Sequence, residues 1–313
     1  MKFKELLQQS IKSEDTEEWL DTVFTRPVGL AFALLWRKLG VHPNTITILS
    51  IILGVAAAWM FYYTDWQHNL CGMVLLMFAN FCDSTDGQLA RLTNQKSFVG
   101  RVLDGLAGDV WFFCIYAAIC FRLMPQEIPF TTVKWGLWVW PFAYLAGIVC
   151  HTNQSSLADY YRQIHLFFLK GKTGSELDNS EQQLEILRSL PRNNYLGRFF
   201  YSNYARYCRN QEKRTPKFQA FFKHLKTQGD DMNGSLKAEN SRVVAAFLKG
   251  SRPLMKYTNI LTFNCRAIIL YTTCLLNVPY VFFLFDITVF HLIYIYMHHQ
   301  HETLCEELAA ETK

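Results

Sequence analysis

The sequence predicts an all-α polytopic membrane protein with six transmembrane helices and an N-terminal interfacial helix. Three observations predict it. Half of the 313 residues are apolar and 15% are aromatic, and the apolar residues gather in runs long enough to cross a bilayer. One extended polar, basic region separates the fourth run from the fifth. Acidic residues inside the second and third runs crowd towards one end, as a site at one membrane face requires.

Residues 1–42 form the interfacial segment. Phe3, Leu6, Leu7 and Ile11, then Trp19, Leu20, Val23 and Phe24, recur at helical spacing on a polar background, which suits a helix lying on a bilayer. The run at 26–41 carries Arg37 and Lys38 and falls short of the roughly 20 residues a span needs. It is therefore expected in the interface too. The first 20 residues lack a continuous apolar core, so no cleaved signal peptide is expected.

His42-Pro43-Asn44 breaks the chain direction, with Asn44 or Thr45 expected to cap the next helix. Spans are expected near residues 44–64, 69–92, 99–121 and 131–152, within a segment 43–152. Two more are expected near 258–278 and 281–299, within 258–300, followed by a tail at 301–313. Six spans put both termini on one side. The insertion at 153–257 holds 18 Lys and Arg against 9 Asp and Glu, so the positive-inside rule places it and the termini in the cytosol.

That insertion is long for a loop and should carry structure of its own. Its aromatic-basic stretches (RFFYSNYARYCR, KFQAFFKHLK) suit helices pressed to headgroups or, equally, a solvated helical subdomain. Gly229–Gly234 reads as an exposed loop. No nucleic-acid-binding motif accompanies the charge, so nucleic acid is not an expected partner. Nine cysteines without a Cys-x-x-Cys pair read as reduced thiols.

Chemistry concentrates in CDSTDGQLARLTNQKSFVGRVLDGLAGD. Asp83, Asp86, Asp104 and Asp109 fall at the end of one span and the start of the next. Ionised carboxylates there cost several kcal/mol unless paired, hydrated or bound to metal. Oxygen ligands suit Mg²⁺, Mn²⁺ or Ca²⁺ better than zinc. Asp83 and Asp86, three apart, reach one site. Gly87 and Ala90 allow close approach to the backbone, and Arg91 suits a phosphate at the rim.

These residues resemble the motif of the CDP-alcohol phosphotransferase family, Asp-x-x-Asp-Gly-x-x-Ala-Arg, eight residues, then Gly-x-x-x-Asp-x-x-x-Asp. Asp83, Asp86, Gly87, Ala90, Arg91, Gly100 and Asp104 match it position by position. VHPNTIT at 41–47 is similar to the segment before the family's first span. The resemblance covers roughly residues 26–152, more loosely 258–299, and not the insertion. It implies a CDP-activated donor, an alcohol acceptor that attacks the β-phosphorus, departure of CMP, and Mg²⁺ or Mn²⁺, two ions, at the site. Asp83, Asp86 and Asp104 would ligate metal; Gly87, Ala90 and Gly100 would line the nucleotide site with Arg91 nearby.

One departure stands out. The family's last Asp, a metal ligand and the base for the acceptor, should fall at position 108, which is glycine; the acid is Asp109. On a regular helix Asp109 lies about 140° around from Asp104. A π-bulge between 104 and 109, eased by Gly105 and Gly108, would restore Asp109 as ligand and base.

Arg266, about eight residues into the fifth span, could bind an acceptor phosphate or balance the carboxylates. Asp286 is expected at headgroup level on the opposite face. His298, His299 and His301 read as a cationic interfacial end. Phosphatidyl transfer from CDP-diacylglycerol to inositol, inositol phosphate or glycerol phosphate is the expected reaction. The alternatives are a choline or ethanolamine phosphotransferase, and a non-catalytic scaffold with a degenerate CDP site. Small-residue surfaces on the spans suit a homodimer, as does the resemblance. The whole is expected to be an integral, multi-pass membrane protein with its site on the cytosolic face.

Overall fold

A computed structural model describes residues 6–7, 13, 15–95, 97–227 and 241–311. Every regular element among them is helical. They divide into two compact units, one of Met1–Asn153 with Thr262–His291 and one of Gln154–Leu261 with Leu292–Lys313. The expected helical positions Phe3 and Ile11, and the expected loop Gly229–Gly234, lie outside the described residues.

In the first unit a π-helical turn, Asp21–Thr25, leads into α1, Arg26–Lys38. Gly29, Leu30 and Ala33 form the buried stripe of α1, while Phe32, Leu35 and Leu39 stay exposed. Helix α2 spans Pro43–Phe61. Its cap is His42, not Asn44 or Thr45: the His42 Nδ1 accepts the Asn44 N–H at 3.2 Å, and Pro43 occupies a first-turn position where no N–H is needed. Helix α3 spans Trp66–Thr93 and ends on Asn94 in the left-handed conformation, which asparagine tolerates. Helix α4 spans Phe98–Leu123 and is capped by Ser97, whose Oγ accepts the Gly100 N–H at 2.9 Å.

Beyond α4 come a helix α5, Val139–Tyr144, a π-helical segment, Leu145–His151, and α6, Thr152–Lys170. The expected fifth span is broken: α11, Met255–Ile260, and α12, Phe263–Leu275, meet at Thr262, whose backbone is extended. The N-terminal segment holds the start of α12, because Glu18 accepts from the Thr262 hydroxyl and from Asn264 Nδ2. Helices α13, Tyr280–Ile287, and α14, Val289–Glu311, follow. Pro43–Phe61, Val102–Leu123 and Tyr280–Glu311 are long and apolar enough to cross a membrane.

The core of this unit runs through Ala57, Phe61, Leu76, Ala79, Ala107, Trp111, Ile115, Ile119, Leu270 and Phe283. Helices α2 and α4 touch at Gly54, where a Cβ would come within 2.0 Å of the Trp111 ring. Arg122, buried at the far end of α4, joins four helix termini. Its Nη1 donates to Phe61 O at 3.0 Å and Asn69 Oδ1 at 2.8 Å. Its Nη2 donates to Cys274 O at 3.1 Å and Asn277 Oδ1 at 2.8 Å. Phe61 O is a carbonyl that the end of α2 leaves without an intrahelical partner, Cys274 O accepts the Asn277 N–H at 3.1 Å besides Arg122, and helix C-termini favour a cation. Each buried acceptor left unpaired costs about 1–3 kcal/mol. Arg122→Met is therefore expected to lower the apparent melting temperature of the detergent-solubilised protein by roughly 5 °C or more, and Arg122→Lys by less. A wild-type melting temperature in Arg122→Met would refute this role.

The second unit has structure throughout its described part: α6, then α7, Ser180–Ser189, α8, Tyr195–Arg214, α9, Pro216–Thr227, and α10, Ser241–Ser251. Its core is aromatic. Phe168 stacks on Phe247 at 4.1 Å, and the His301 ring on Tyr161 at 3.9 Å. The histidine run is thus not simply a cationic interfacial end. His301 is fully buried, and its neighbour Glu302 accepts the backbone N–H groups of Lys217 and Phe218, satisfying the first turn of α9.

Candidate active site

The last turns of α3 and the first turns of α4 bring acids from two helices together. One carboxylate oxygen from each of Asp83, Asp86 and Asp104 lies within 4.8 Å of the other two. The three are graded in exposure: Asp86 is buried, Asp83 half-buried and Asp104 exposed. Helical spacing explains the first two, and the α3–α4 turn at Asn94 returns the chain so that the third faces them.

Asp86 is oriented by α2. The Thr47 hydroxyl donates to Asp86 Oδ2 and also lies 3.3 Å from Pro43 O. Thr47 was not singled out from sequence; only its place in VHPNTIT pointed to it. Asp83 Oδ1 is buried and has no hydrogen-bond partner among the described residues. A buried carboxylate oxygen without a donor is costly unless a cation binds it. Three converging carboxylates with one such oxygen fit a hard divalent cation.

Two arginines flank the cluster. Arg91 acts electrostatically on Asp86, and Arg26 on Asp83. Helix α1 brings Arg26 there because α3 holds it: Thr85 Oγ1 lies 3.3 Å from Gly29 O, and Gln88 Nε2 donates to Arg26 O at 3.2 Å. Arg26 also forms a bidentate pair with Glu17, at 3.1 and 3.0 Å. Neither Arg26 nor Glu17 stood out in the sequence.

The small residues differ in what they do. At Gly100 a Cβ would come within 3.0 Å of Asn44 Oδ1, so glycine there lets α4 close on the start of α2. At Gly87 a Cβ would meet only the Arg91 guanidinium, at 3.5 Å, which leaves the backbone open to a ligand. Ala90 is half-buried one turn further on.

Asp109 does not join the group. The expected π-bulge is absent: α4 is a regular α-helix from Phe98 to Leu123. Ala107, Trp111, Ile115 and Ile119 carry one unbroken buried stripe through this stretch. A bulge would rotate one half of that stripe out of the core by about a residue's turn. Burial therefore holds the helix regular, and Asp109 lies exposed, as do Leu106 and Phe113.

Arg266 and Asp286 also depart from expectation. Both are fully buried and form an ion pair, so Asp286 is enclosed by protein where exposure to headgroups was expected. The Arg266 guanidinium lies 4.8 Å from the Phe290 ring centroid. The Tyr116 hydroxyl donates to Asp286 Oδ2 and lies 3.3 Å from His151 Nδ1.

Residues 40–167 match the family described as CDP-alcohol phosphatidyltransferase. The chain is 28% identical over 107 residues to the bifunctional IPC transferase and DIPP synthase of Aquifex aeolicus (strain VF5), covering 34% of this chain and 22% of that protein. It is 35% identical over 67 residues to the archaetidylinositol phosphate synthase of Pyrococcus horikoshii, covering 21% of this chain and 34% of that protein. The matches thus span about a fifth and a third of these relatives. The match spans α2 to α4, and with them all three gathered carboxylates, so residues 40–167 of this chain are a CDP-alcohol phosphatidyltransferase domain.

Proposed function

We propose that this protein is a metal-dependent phosphatidyltransferase that moves a phosphatidyl group from CDP-diacylglycerol to a polyol or phosphorylated polyol, releasing CMP. The observation that carries the reading is the convergence of Asp83, Asp86 and Asp104 within 4.8 Å in a CDP-alcohol phosphatidyltransferase domain. The polyol acceptor is favoured by the relative named archaetidylinositol phosphate synthase. Inositol, inositol phosphate and glycerol phosphate are the candidates.

In this reading the three carboxylates hold Mg²⁺ or Mn²⁺, and a bound cation supplies neutralisation of the diphosphate charge. Gly87, Ala90, Gly100 and Arg91 receive the nucleotide. The acceptor oxygen bonds to the β-phosphorus as the bond from that phosphorus to CMP breaks. Asp104 is the exposed member of the trio and takes the acceptor's proton. Thr47 keeps Asp86 turned towards the cluster.

The membrane arrangement belongs to the same proposal. Helices α2, α3 and α4, the run 139–151, α12, and α13 with α14 make six spans. Three segments meet the length and hydropathy a span needs, and the acids of the site lower the hydropathy of α3. Helix α1 lies in the interface, and the basic insertion keeps the site on the cytosolic face.

A second reading, a CDP-binding scaffold without turnover, is favoured by one observation: position 108 is glycine and no bulge brings Asp109 in. The test is CMP release by purified protein with Mg²⁺ or Mn²⁺, CDP-diacylglycerol and the three acceptors, beside CDP-choline with diacylglycerol. Turnover with one polyol is expected. Turnover with CDP-choline alone would replace the donor and acceptor. Bound CDP without turnover in any combination would establish the scaffold.

A further inference from the structure

One face of the second unit is built for contact. Helix α8 runs for 20 residues, Tyr195–Arg214, roughly 30 Å. Its inner face is fully engaged. Ala205, Cys208 and Gln211 are buried, Tyr204 donates to Asp178 at 2.8 Å, and Gln211 donates to Ser156 O at 3.0 Å. Arg198 is turned to the carbonyls of Leu187 and Leu190. The acid of this helix, Glu212, is used inward as well, accepting from the Ser180 N–H and hydroxyl.

What remains outward is apolar, aromatic, amide or basic, with no acid. Tyr195, Leu196 and Phe199 are 79%, 73% and 65% exposed. Arg206, Arg209 and Lys213 are exposed further along, and Arg192 just before the helix. At 100° per residue the six of them within the helix fall in one arc of about 140°. Large apolar groups standing in water are unfavourable singly and more so in a cluster. Cations without a compensating acid on the same arc repel one another. An aromatic ridge followed by an uncompensated basic row matches an interfacial lipid surface with anionic headgroups, where rings enter the headgroup layer and cations meet phosphates.

We propose that this arc of α8 docks on an anionic lipid bilayer. The proposal rests on the reading of the first unit as membrane-embedded, which tethers α8 to a lipid surface. A protein partner or a second copy of the chain would have to supply an acidic, aromatic-accepting groove.

The test uses the full chain in lipid nanodiscs, either zwitterionic or containing anionic lipid, with an environment-sensitive fluorescent amino acid at position 196. Co-purification with the discs reports the membrane reading separately. Brominated acyl chains are expected to quench the probe in anionic discs, with quenching reduced in neutral discs and by salt. Arg206→Glu with Arg209→Glu should reduce the docked-to-undocked ratio at least about ten-fold while leaving the melting temperature unchanged. A probe that stays in water in anionic discs overturns the proposal. So does quenching indifferent to lipid charge and charge reversal, or a spectral shift seen only when two copies share a disc.

Discussion

Asp104→Asn is expected to abolish metal-dependent stabilisation and to cut CMP release by at least about 100-fold, whereas Asp109→Asn keeps the stabilisation. The difference follows from geometry. Asp104 shares a 4.8 Å neighbourhood with Asp83 and Asp86, and losing one of three anionic ligands weakens a hard cation's site severely. Asp109, one residue past the family's expected position, is on the exposed side of a regular helix. A ligand that binds only the folded state at 100 times its dissociation constant adds about 2.7 kcal/mol, so a Mn²⁺ titration of the melting temperature reads binding without requiring turnover. An Asp109→Asn protein that no longer responds to Mn²⁺ would put Asp109 back in the site. Intact Mn²⁺ stabilisation with lost CMP release in Asp109→Asn would move the acceptor's proton from Asp104 to Asp109.

Much of this site was legible because its information is local. The spacing of Asp83 and Asp86 on one helix, and the apolar runs that became α2, α3 and α4, are one-dimensional patterns. So is the stop between α3 and α4, although Asn94 was not singled out. The cap of α2 was misplaced by two residues because a histidine ring nitrogen can accept the N–H that asparagine or threonine usually takes. The π-bulge failed for a reason also present in the sequence. Ala107, Trp111, Ile115 and Ile119 keep a helical period that a bulge would break.

Other features depend on partners that no single segment reveals. Thr47 becomes informative only when α2 meets Asp86. Arg26 does not stand out in the sequence until Thr85 and Gln88 fix α1 against α3. His301 reads as part of a cationic interfacial end until it is stacked on Tyr161 inside the second unit. Composition reports that such residues are costly to bury; only the tertiary arrangement shows what offsets the cost.

Arg266→Met is expected to destabilise the protein by about 3–5 kcal/mol, the usual consequence of stranding one member of a buried ion pair. Arg266 and Asp286 are each at most 1% exposed. Removing the guanidinium takes from Asp286 the buried cation that pairs with it. Asp286→Leu should be similarly harmful, since it leaves the arginine charge buried. The double variant Arg266→Met, Asp286→Leu should be much less destabilised than the two single effects added together, because both desolvation penalties disappear with the charges. Thermal unfolding of the four proteins closes the cycle. The sequence allowed another role, an arginine reserved for an acceptor phosphate, and that role makes the opposite forecast. It leaves the melting temperature of Arg266→Met near wild type and raises KM for a phosphorylated acceptor alone. A strong coupling between positions 266 and 286, with the single variants unstable at every substrate concentration, would identify the arginine as a structural counter-ion. The two readouts separate the roles, because a counter-ion is read in stability at every substrate concentration and a phosphate ligand in KM for the phosphorylated acceptor.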